Sequence, residues 1–380
     1  MMSSPSSARW AIAAIFFLHG FIWGNWAPHI PMAIERLGVG PALFGVALLA
    51  IAGGAVLAMP ITGYLVNHHG SAMITRVTAL AMSVAILGPM LAPNLGLFIV
   101  AAMVYGATIG GMDVAMNAHG IAVEKALKDP IMSFLHGGFS IGGMAGALLG
   151  ALLLGVTSET THAFITTALT FTLFLPLFPF LLPSSADRGL SGTSFAWPTR
   201  ATIGLGFLCF LALMAEGSVV DWSAIMLRQR FLLDAGTAAL GYALYSGGMA
   251  LSRLLGDWAR KSMGSVTVVR GSALVTAAGI AVAVSVPSPA AAIAAFAIAG
   301  VGIGNIVPIL FAGGGHLEPS APGRGIAAVT TLGYVGFLAG PPLIGFAAEV
   351  TNLSIGLGIT ALAALVIAAA ARIAQAADSY

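Results

Sequence analysis

The stretch GGAVLAMPITGYLVNHHG, residues 53–70, is echoed 194 positions later by GGMALSRLLGDWARKSMG, residues 247–264. The same offset relates glycines in two further segments, namely Gly106 and Gly110 with Gly300 and Gly304, and Gly142 and Gly146 with Gly336 and Gly340. Small residues are common in apolar helices, so one match would mean little, but one offset that holds for three segments indicates an internal duplication. We therefore expect two related halves.

The composition identifies the medium around those halves. Of 380 residues, 58% are hydrophobic and 7% are charged, whereas roughly 25% of residues in a soluble protein are charged. The 15 Lys and Arg and 13 Asp and Glu side chains are too few to cover a water-facing surface, so lipid must cover most of it. A soluble protein is excluded. The net charge of +2 argues against nucleic-acid binding.

Twelve apolar segments are long enough to cross a membrane, which takes about 20 helical residues each. We place them at 9–32, 41–66, 72–93, 95–121, 134–156, 161–182, 201–226, 236–258, 265–286, 289–314, 325–348 and 353–372. The first is predicted to be a retained helix, because its apolar stretch is too long for a signal peptide. The sequence predicts an all-α membrane protein with 12 transmembrane helices in two pseudo-symmetric six-helix bundles.

A linker near the middle of the chain separates the predicted bundles. The stretch PSSADRGLSGTSFAWPTR, residues 183–200, is rich in Ser, Gly and Pro, as inter-domain linkers are. We divide the chain into an N-terminal bundle (1–183), a cytoplasmic linker (184–200) and a C-terminal bundle (201–380). With the amino terminus inside, 11 Lys and Arg residues lie on the cytoplasmic side and three outside. This bias predicts a multi-pass inner (plasma) membrane protein with both termini cytoplasmic.

Polar side chains are unevenly distributed among the predicted spans. Spans 3, 6, 9 and 12 carry no acid, amide or histidine in their interiors and are predicted to face lipid. Spans 1, 4, 5, 7, 8 and 10 carry such groups. Ionisable groups at membrane depth are costly and normally face water or one another. The pattern therefore predicts a polar central cleft.

Span 4 places Asp113 and Asn117 on one helix face with Gly106 and Gly110. We expect Asp113 about 7 Å to the cytoplasmic side of the middle of the span, at about 1.5 Å per residue. An acid at that depth is suited to taking up and releasing a proton, so Asp113 is a candidate for proton coupling or substrate contact. The alternative is a structural ion pair in which Arg253 locks Asp113.

Span 7 carries AEGSVVDW, which places two acids in the outer half of the helix. Glu216 is deep enough to bind a proton or a substrate. We assign Asp221 to gating, with the alternative that Asp221 and Trp222 cap and anchor the helix at the interface.

Aromatic and amide side chains supply candidate substrate contacts. Aromatic faces stack on ring-containing ligands, and tyrosine hydroxyls and amides suit a hydroxylated one. Each of these side chains could instead serve only to pack helices together. The two tryptophans could also be residues that lie at the membrane–water interface. The candidates are His19, Trp23, Asn25, Trp26, Asn117, Tyr242, Tyr245 and Asn305.

A second group of side chains lies toward the ends of the spans and is assigned to gating. Arg253 and Asp257 are four residues apart on span 8 and could form a local pair. His136 opens span 5 close to the cytoplasmic face. The gating candidates are therefore Arg253, Asp257, His136 and Asp221.

The sequence offers no enzyme motif in a catalytic context. The Gly-rich stretch GVGIGN has no following Lys-Ser or Lys-Thr, HExxH is absent, and the one G-x-S-x-G match, at residues 138–142, lies inside an apolar span. The single cysteine, Cys209, excludes a disulfide scaffold or a Cys-based zinc site. We predict a protein that is not an enzyme, holds no cofactor or metal, and is driven by a gradient if it is driven at all.

Two six-helix bundles joined by a central loop resemble the major facilitator superfamily over essentially the whole chain. The superfamily signature between helices 2 and 3, G-x-L-x-D-R-x-G, is represented by Gly63, Leu65, Asn67, His68 and Gly70, without its acid and its arginine. The usual helix 4 arginine is also absent, which shifts the expected gating charges toward Arg253, Asp257 and Arg260.

A narrower resemblance is to the fucose/proton symporter-like branch and related bacterial inner-membrane permeases. The segment MDVAMN is similar to their helix 4, and FFLHGF, AEGSVVDW and GYVGFLAGPPLIG are similar to segments of helices 1, 7 and 11. The resemblance implies that Asp113 is the proton-linked acid, with Asn117 as its amide. The helix 1 acid of the sugar symporters is replaced in the stretch Asn25–Ala27, which leaves Glu216 as the second acid.

The sequence thus predicts a secondary transporter that works as a monomer in the lipid bilayer. Two halves rock about a midplane site, protons bind Asp113 and Glu216, and a small polar solute such as a sugar or related metabolite is imported by symport. The alternative is proton-exchanging efflux of drugs or metabolites, although the Gly-Pro motif of exporter helix 5 is absent here. A non-transporting membrane receptor is the third hypothesis.

Overall fold

The computed structural model describes residues 4–187, 196–318 and 322–378, and the regular structure in these residues is entirely helical. The elements up to the middle of the chain are α1 (Pro5–Trp26), α2 (His29–Leu37), α3 (Pro41–His69), α4 (Ser71–Ala85), α5 (Leu87–Leu91), α6 (Leu95–Leu127), α7 (Met132–Leu154) and α8 (Glu159–Phe174), followed by 3-10 turns at Leu175–Phe180 and Ser184–Ala186. Residues 188–195 of the predicted linker lie outside the described residues.

The remaining helices repeat this arrangement. They are α9 (Ile203–Phe231), α10 (Ala235–Met263), α11 (Ser265–Ser285), α12 (Pro289–Ile303), α13 (Ile306–Leu317), α14 (Pro322–Val350), α15 (Leu353–Ala369) and a closing 3-10 segment, Ala371–Asp378. Side-chain oxygens cap helices in both halves by accepting from backbone N–H groups: Ser158 from Thr161 at α8, Asp234 from Thr237 at α10 and Asn352 from Ile355 at α15.

Each of the twelve predicted spans corresponds to helical structure, and three of them consist of two α-helices. Span 1 divides at Ala27–Pro28, span 3 at Ile86 and span 10 at Gly304–Asn305. Proline lacks the N–H that a continuous helix needs, which accounts for the first break. The break in span 10 is the one that Asn305 and Pro308 predict.

Most of these helices meet the requirements of a membrane span. Among the described residues, 10 helices are long and apolar enough to cross a membrane, and the bent pair Leu353–Ala369 with Ala371–Asp378 brings the number to 11. Helix α10 is 29 residues long, but its Tyr, Ser and Gly residues lower its mean hydropathy. These residues are mostly buried in the protein, which is where polar groups on a spanning helix belong.

Two helices extend beyond their predicted ends, and this changes the position of two acids. Helix α6 runs to Leu127, so Asp113 lies two residues, or about 3 Å, from its middle rather than about 7 Å. Helix α9 runs to Phe231, so Asp221 is ten residues inside the helix end. Both corrections have the same cause, because charged residues in the last turns prolong the helices beyond their apolar segments.

The chain divides into two compact units. The first unit comprises Met1–Gly38 and Ala50–Ser194, and the second comprises Val39–Leu49 and Phe195–Tyr380. One division between the units falls between residues 194 and 195. The segment 39–49 differs, since we expected it in the first bundle.

Contacts inside the second unit explain the place of segment 39–49. The Phe44 ring packs edge-on against Trp222, with 6.2 Å between centroids. The backbone N–H of Ala42 donates to Glu349 Oε2 at 3.2 Å. Gly45 lies so close to the Pro341 carbonyl that a side chain there would collide with it.

The duplication seen in the sequence is repeated in the helix crossings. In the first unit Gly106 packs on the backbone of Ile51, and in the second unit Gly300 packs on the backbone of Tyr245. Each partner is shifted by the same 194 residues. A second pair of crossings, Gly54 on Met103 and Gly248 on Ala297, follows the same rule. Glycines at these sites let the helix backbones approach closely.

The same duplication appears in how α4 and α11 begin. Gly70 and Gly264 have φ values of 81° and 78°, a left-handed conformation that favours glycine. The next residue in each case donates its backbone N–H to an aspartate from the end of its own unit: Ser71 to Asp187 at 3.2 Å and Ser265 to Asp378 at 3.0 Å. An acid at a helix start also complements the helix dipole.

Candidate functional site

A buried ion pair lies at the centre of the second unit. Glu216 is the 14th of the 29 residues of α9, and Arg253 lies on the neighbouring helix α10. Arg253 Nη2 is 3.5 Å from Glu216 Oε1, and the two side chains are 11% and 17% exposed. A charged group so placed is strongly destabilising without its partner, so each of these residues needs the other.

Arg253 also contacts the break between α12 and α13. Its Nε donates to the carbonyl oxygen of Gly304 at 3.3 Å, one of the backbone groups freed by the break. Asn305 Nδ2 donates to the carbonyl and the hydroxyl of Ser252, at 2.7 and 2.8 Å. Hydrogen bonds with α10 thus stabilise the break. Irregular backbone at membrane depth needs such partners, because lipid supplies none.

The two tyrosines predicted as substrate contacts lie in the same region of α10 and are buried. Tyr242 is 3% exposed and Tyr245 is fully buried. Within the described residues, the Tyr245 hydroxyl has no hydrogen-bond partner. Buried hydroxyls are almost always bonded, so this group has an unused hydrogen-bonding capacity beside the ion pair.

Asp221 lies inside α9 and is 6% exposed. Among the described residues, its carboxylate takes part in no hydrogen bond or ion pair. The interfacial alternative for Asp221 and Trp222 is wrong, because Trp222 is fully buried and packs on Phe44. Asp221 is therefore a buried acid of the helix interior rather than a helix cap.

The acid of the first unit has an amide partner on its own helix. Asn117 Nδ2 donates to Asp113 Oδ1 at 3.1 Å and to the Asp113 carbonyl at 2.8 Å, and both side chains are half-buried. The shared helix face predicted for these two residues is thus present.

Aromatic side chains of the first unit divide into a half-buried group and a buried one. Trp23 stacks on Tyr105, with 6.3 Å between the ring centroids. His19 is 3% exposed, and its Nδ1 lies 3.2 Å from Met116 Sδ. Trp26 is fully buried and packs against Phe98. Of the candidates His19, Trp23 and Trp26, only Trp23 is partly accessible.

Asn25 belongs to a different cluster from the one we expected. It is fully buried, donates to the Phe21 carbonyl and accepts from Thr166 of α8. Its oxygen also faces His162, and His162 contacts His29. Sequence reasoning missed this cluster, although His29 after Pro28 and the pair Glu159 and His162 at helix spacing were signals for it.

The other two gating candidates have different surroundings. His136 is in the first turns of α7, where its ring packs edge-on against Phe16 at 5.3 Å. Asp257 is exposed on α10. The ion pair described for Arg253 is thus with Glu216 on the neighbouring helix rather than with Asp257.

Spanning helices in two duplicated units, with charged groups at mid-helix, define a multi-pass membrane transporter. The family model described as Major Facilitator Superfamily matches residues 12–341. This chain belongs to that superfamily.

Relatives and solved structures support the same assignment. An uncharacterised MFS-type transporter of Yersinia pestis is 38% identical over 360 residues, which cover 94% of this chain and 93% of that protein. Membrane protein MosC of Rhizobium meliloti is 31% identical over 352 residues, covering 90% and 84%. The nucleoside transporter NupG is structurally similar, with a TM-score of 0.76, 14% identity, and coverage of 97% of this chain and 98% of that chain.

Proposed function

We propose that this transporter is coupled to protons and that the Glu216–Arg253 pair is the coupling element. The observation that carries the proposal is that Glu216, near the middle of α9, lies 3.5 Å from Arg253 on the neighbouring helix α10. A proton on Glu216 cancels the charge that holds Arg253 in place. Proton binding and ion pairing are therefore alternative states of one carboxylate.

The contact between Arg253 and Gly304 links the protonation state of Glu216 to the backbone at the α12–α13 break. When Glu216 is protonated, Arg253 loses its charged partner and its hold on the α12–α13 break is weakened. That break has the properties of a hinge, since it interrupts a spanning helix and depends on α10 for its hydrogen bonds. We infer that protonation changes the freedom of this hinge and so biases which state of the transporter is populated.

Asp113 is the second proton-linked acid in this proposal. It lies near the middle of α6 with Asn117 bonded to its carboxylate. The solute is a small polar molecule such as a sugar, for which the partly accessible Trp23, stacked on the buried Tyr105, offers an aromatic surface. We place proton symport ahead of proton-exchanging efflux, because helix α7 lacks proline and the Gly-Pro-Pro sequence falls in α14.

The experiment has two steps. Thermal-shift screening of the purified protein against a metabolite library, repeated across pH, identifies a stabilising solute. Proton movement driven by that solute is then measured in proteoliposomes. Coupled flux should be lost in Asp113→Asn and retained in Asp129→Asn, whose side chain is 58% exposed. Unchanged coupled flux in Asp113→Asn would remove that residue from the mechanism.

The direction of proton flow separates the two forms of coupling. In symport, an inward solute gradient acidifies the vesicle lumen. In efflux by exchange, the same gradient makes the lumen more alkaline.

We also propose an inner-membrane location with both termini cytoplasmic. The positive-inside distribution of Lys and Arg supports this orientation. The native Cys209 is buried, which favours a labelling experiment with a low background. In intact cells an impermeant thiol reagent should label Thr157→Cys, between α7 and α8, and should not label His69→Cys at the end of α3.

A further inference from the structure

A chain of hydrogen-bonding side chains joins α1, α2 and α8 in the first unit, at the end of α1 opposite Pro5. Glu159 Oε1 lies 3.2 Å from His29 Nδ1. His29 Nε2 lies 2.7 Å from His162 Nδ1. His162 Nε2 lies 3.1 Å from Asn25 Oδ1. Four side chains thus make three consecutive contacts, and none of these residues belongs to the proposed coupling pair.

The two ends of this chain differ in exposure. His29 and His162 are both fully buried. Glu159 is 21% exposed, and Arg36, which donates to the same Glu159 oxygen, is 23% exposed. Solvent therefore reaches the acid end of the chain and not the imidazoles.

The orientation of the Asn25 amide is set by its surroundings. Its Nδ2 donates to the Phe21 carbonyl at 2.8 Å, and its Oδ1 accepts from the Thr166 hydroxyl at 3.1 Å. Reversing the amide would place its oxygen against the carbonyl oxygen of Phe21. Oδ1 is therefore the atom that faces His162 Nε2, and it can only accept.

The number of protons follows from these contacts. The Thr166 hydroxyl lies 3.1 Å from Asn25 Oδ1 and 3.4 Å from His162 Nε2, and it donates to the nearer oxygen. Glu159, paired with Arg36 at one end of the chain, and Asn25 at the other end are acceptors, so both end contacts form only when His29 Nδ1 and His162 Nε2 each carry a proton. The contact between the two rings needs a third proton, on one ring or the other. Two neutral imidazoles carry only two.

We propose that His29 and His162 share one additional proton and form a proton-binding site separate from Asp113 and Glu216. The charged groups that face the pair are Arg36 from α2 and Glu159 from α8. Helix α1 faces it with the Asn25 amide and α7 with Gly150, while α5 and the residue after it supply the Pro89 and Ala92 carbonyls that accept from Arg36. Glu159 gives the proton its route from solvent.

The site couples proton binding to the packing of one end of the first unit. When the third proton leaves, one of the three contacts has an acceptor facing an acceptor and must open. Since each contact joins a different pair of side chains across α1, α2 and α8, the loss loosens the junction of these helices. The outer end of the unit then responds to pH without any change at Asp113.

The direct test is nitrogen NMR of full-length protein labelled with ¹⁵N-histidine in lipid bilayers near neutral pH. We expect one imidazolium signal, with both ring nitrogens protonated, and a scalar coupling across the N–H···N contact of the two rings. The signal should be lost in His29→Gln and in His162→Gln and kept in His69→Gln, which changes an exposed histidine. A spectrum of the unaltered protein with both coupled rings neutral would overturn the proposal, even if no variant folds.

A second variant tests the proton count without removing a histidine. In Asn25→Ala the terminal acceptor is absent, so the third proton is no longer required and the imidazolium signal should disappear while both rings remain. In Asn25→Asp a stronger acceptor faces His162 Nε2, and the signal should persist to higher pH. Persistence of the signal in Asn25→Ala would contradict the count.

Discussion

Arg253 of the second unit and Met59 of the first occupy equivalent positions, 194 residues apart, yet only one of them is charged. The reverse holds for Asp113, whose equivalent is Val307. The glycine crossings beside these positions are the same in both units. The two units therefore share their packing and differ in their ion chemistry, which means that the proposed proton-linked groups act as an asymmetric set.

The largest expected effect comes from replacing Arg253 by methionine, the residue at the equivalent position of the first unit, Met59. Arg253→Met leaves Glu216 buried without its charge partner, which costs about 3–5 kcal/mol when such a pair is broken. We expect a large fall in the thermal midpoint of the purified protein and loss of solute-driven proton movement. Arg324→Met, at an exposed position, is the matched control and should behave like the unaltered protein.

A double variant sharpens this result. Arg253→Met with Glu216→Leu removes both charges, so most of the lost stability should return. Proton-coupled transport should remain absent. If transport returned with stability, the ion pair would be structural only.

The shared packing is tested by substitutions at equivalent glycines. A side chain at Gly106 or Gly300 collides with the backbone of Ile51 or Tyr245, and such overpacking costs about 1–3 kcal/mol. Gly106→Ala and Gly300→Ala should lower the thermal midpoint by similar amounts. Gly53→Ala, which meets nothing within 4 Å, should not lower it. A large effect at one crossing and none at the other would contradict the equivalence.

The aspartates at the starts of α4 and α11 should give smaller and unequal effects. Asp187→Ala and Asp378→Ala each remove an acceptor for a backbone N–H at a helix start, a loss comparable to that of a helix cap, about 1 kcal/mol. Asp378 also accepts from the Ser265 hydroxyl at 2.6 Å and lies 4.0 Å from Arg260 Nε. Thermal unfolding should therefore show a loss in both variants and a larger one in Asp378→Ala, and an equal or smaller loss in Asp378→Ala would contradict this expectation.

The smallest effect concerns pH and the start of α10, where Asp234 stands at the position equivalent to Gly40. The Thr237 hydroxyl and backbone N–H donate to Asp234 and hold the pKa of its carboxyl below its ordinary value. Because the folded-state pKa is lowered, this contribution is present at neutral pH and is lost as pH falls through the acidic range. Asp234→Ala should therefore reduce the thermal midpoint slightly at neutral pH and not in acid.

Much of the fold follows from the sequence. Hydropathy predicts the twelve spans, and the glycine offset of 194 residues predicts two related halves. Segment 39–49 was the exception, since its contacts with Trp222 and Glu349 involve residues about 180 to 310 positions away. Such long-range contacts leave no periodic signal in a single sequence.

The sequence identifies the individual residues of the candidate site, but it does not predict which of them contact one another. Glu216 and Arg253 each stand out as charges in apolar helices, but their pairing depends on the rotation of α9 against α10. The helix extension to Leu127 moved Asp113 toward the middle of its helix. The histidine pair was hidden because the break at Ala27–Pro28 brings His29 to α8, where its partner is 133 positions away.

One measurement tests the coupling role of Glu216 most directly. Proteoliposomes containing Glu216→Gln are assayed both for solute exchange between two equal pools and for uphill accumulation driven by a proton gradient. Glu349→Gln, which keeps an acceptor oxygen for Ala42, is the control and should perform both. We predict that Glu216→Gln exchanges solute but does not accumulate it. Uphill accumulation at the rate of the unaltered protein would contradict the account.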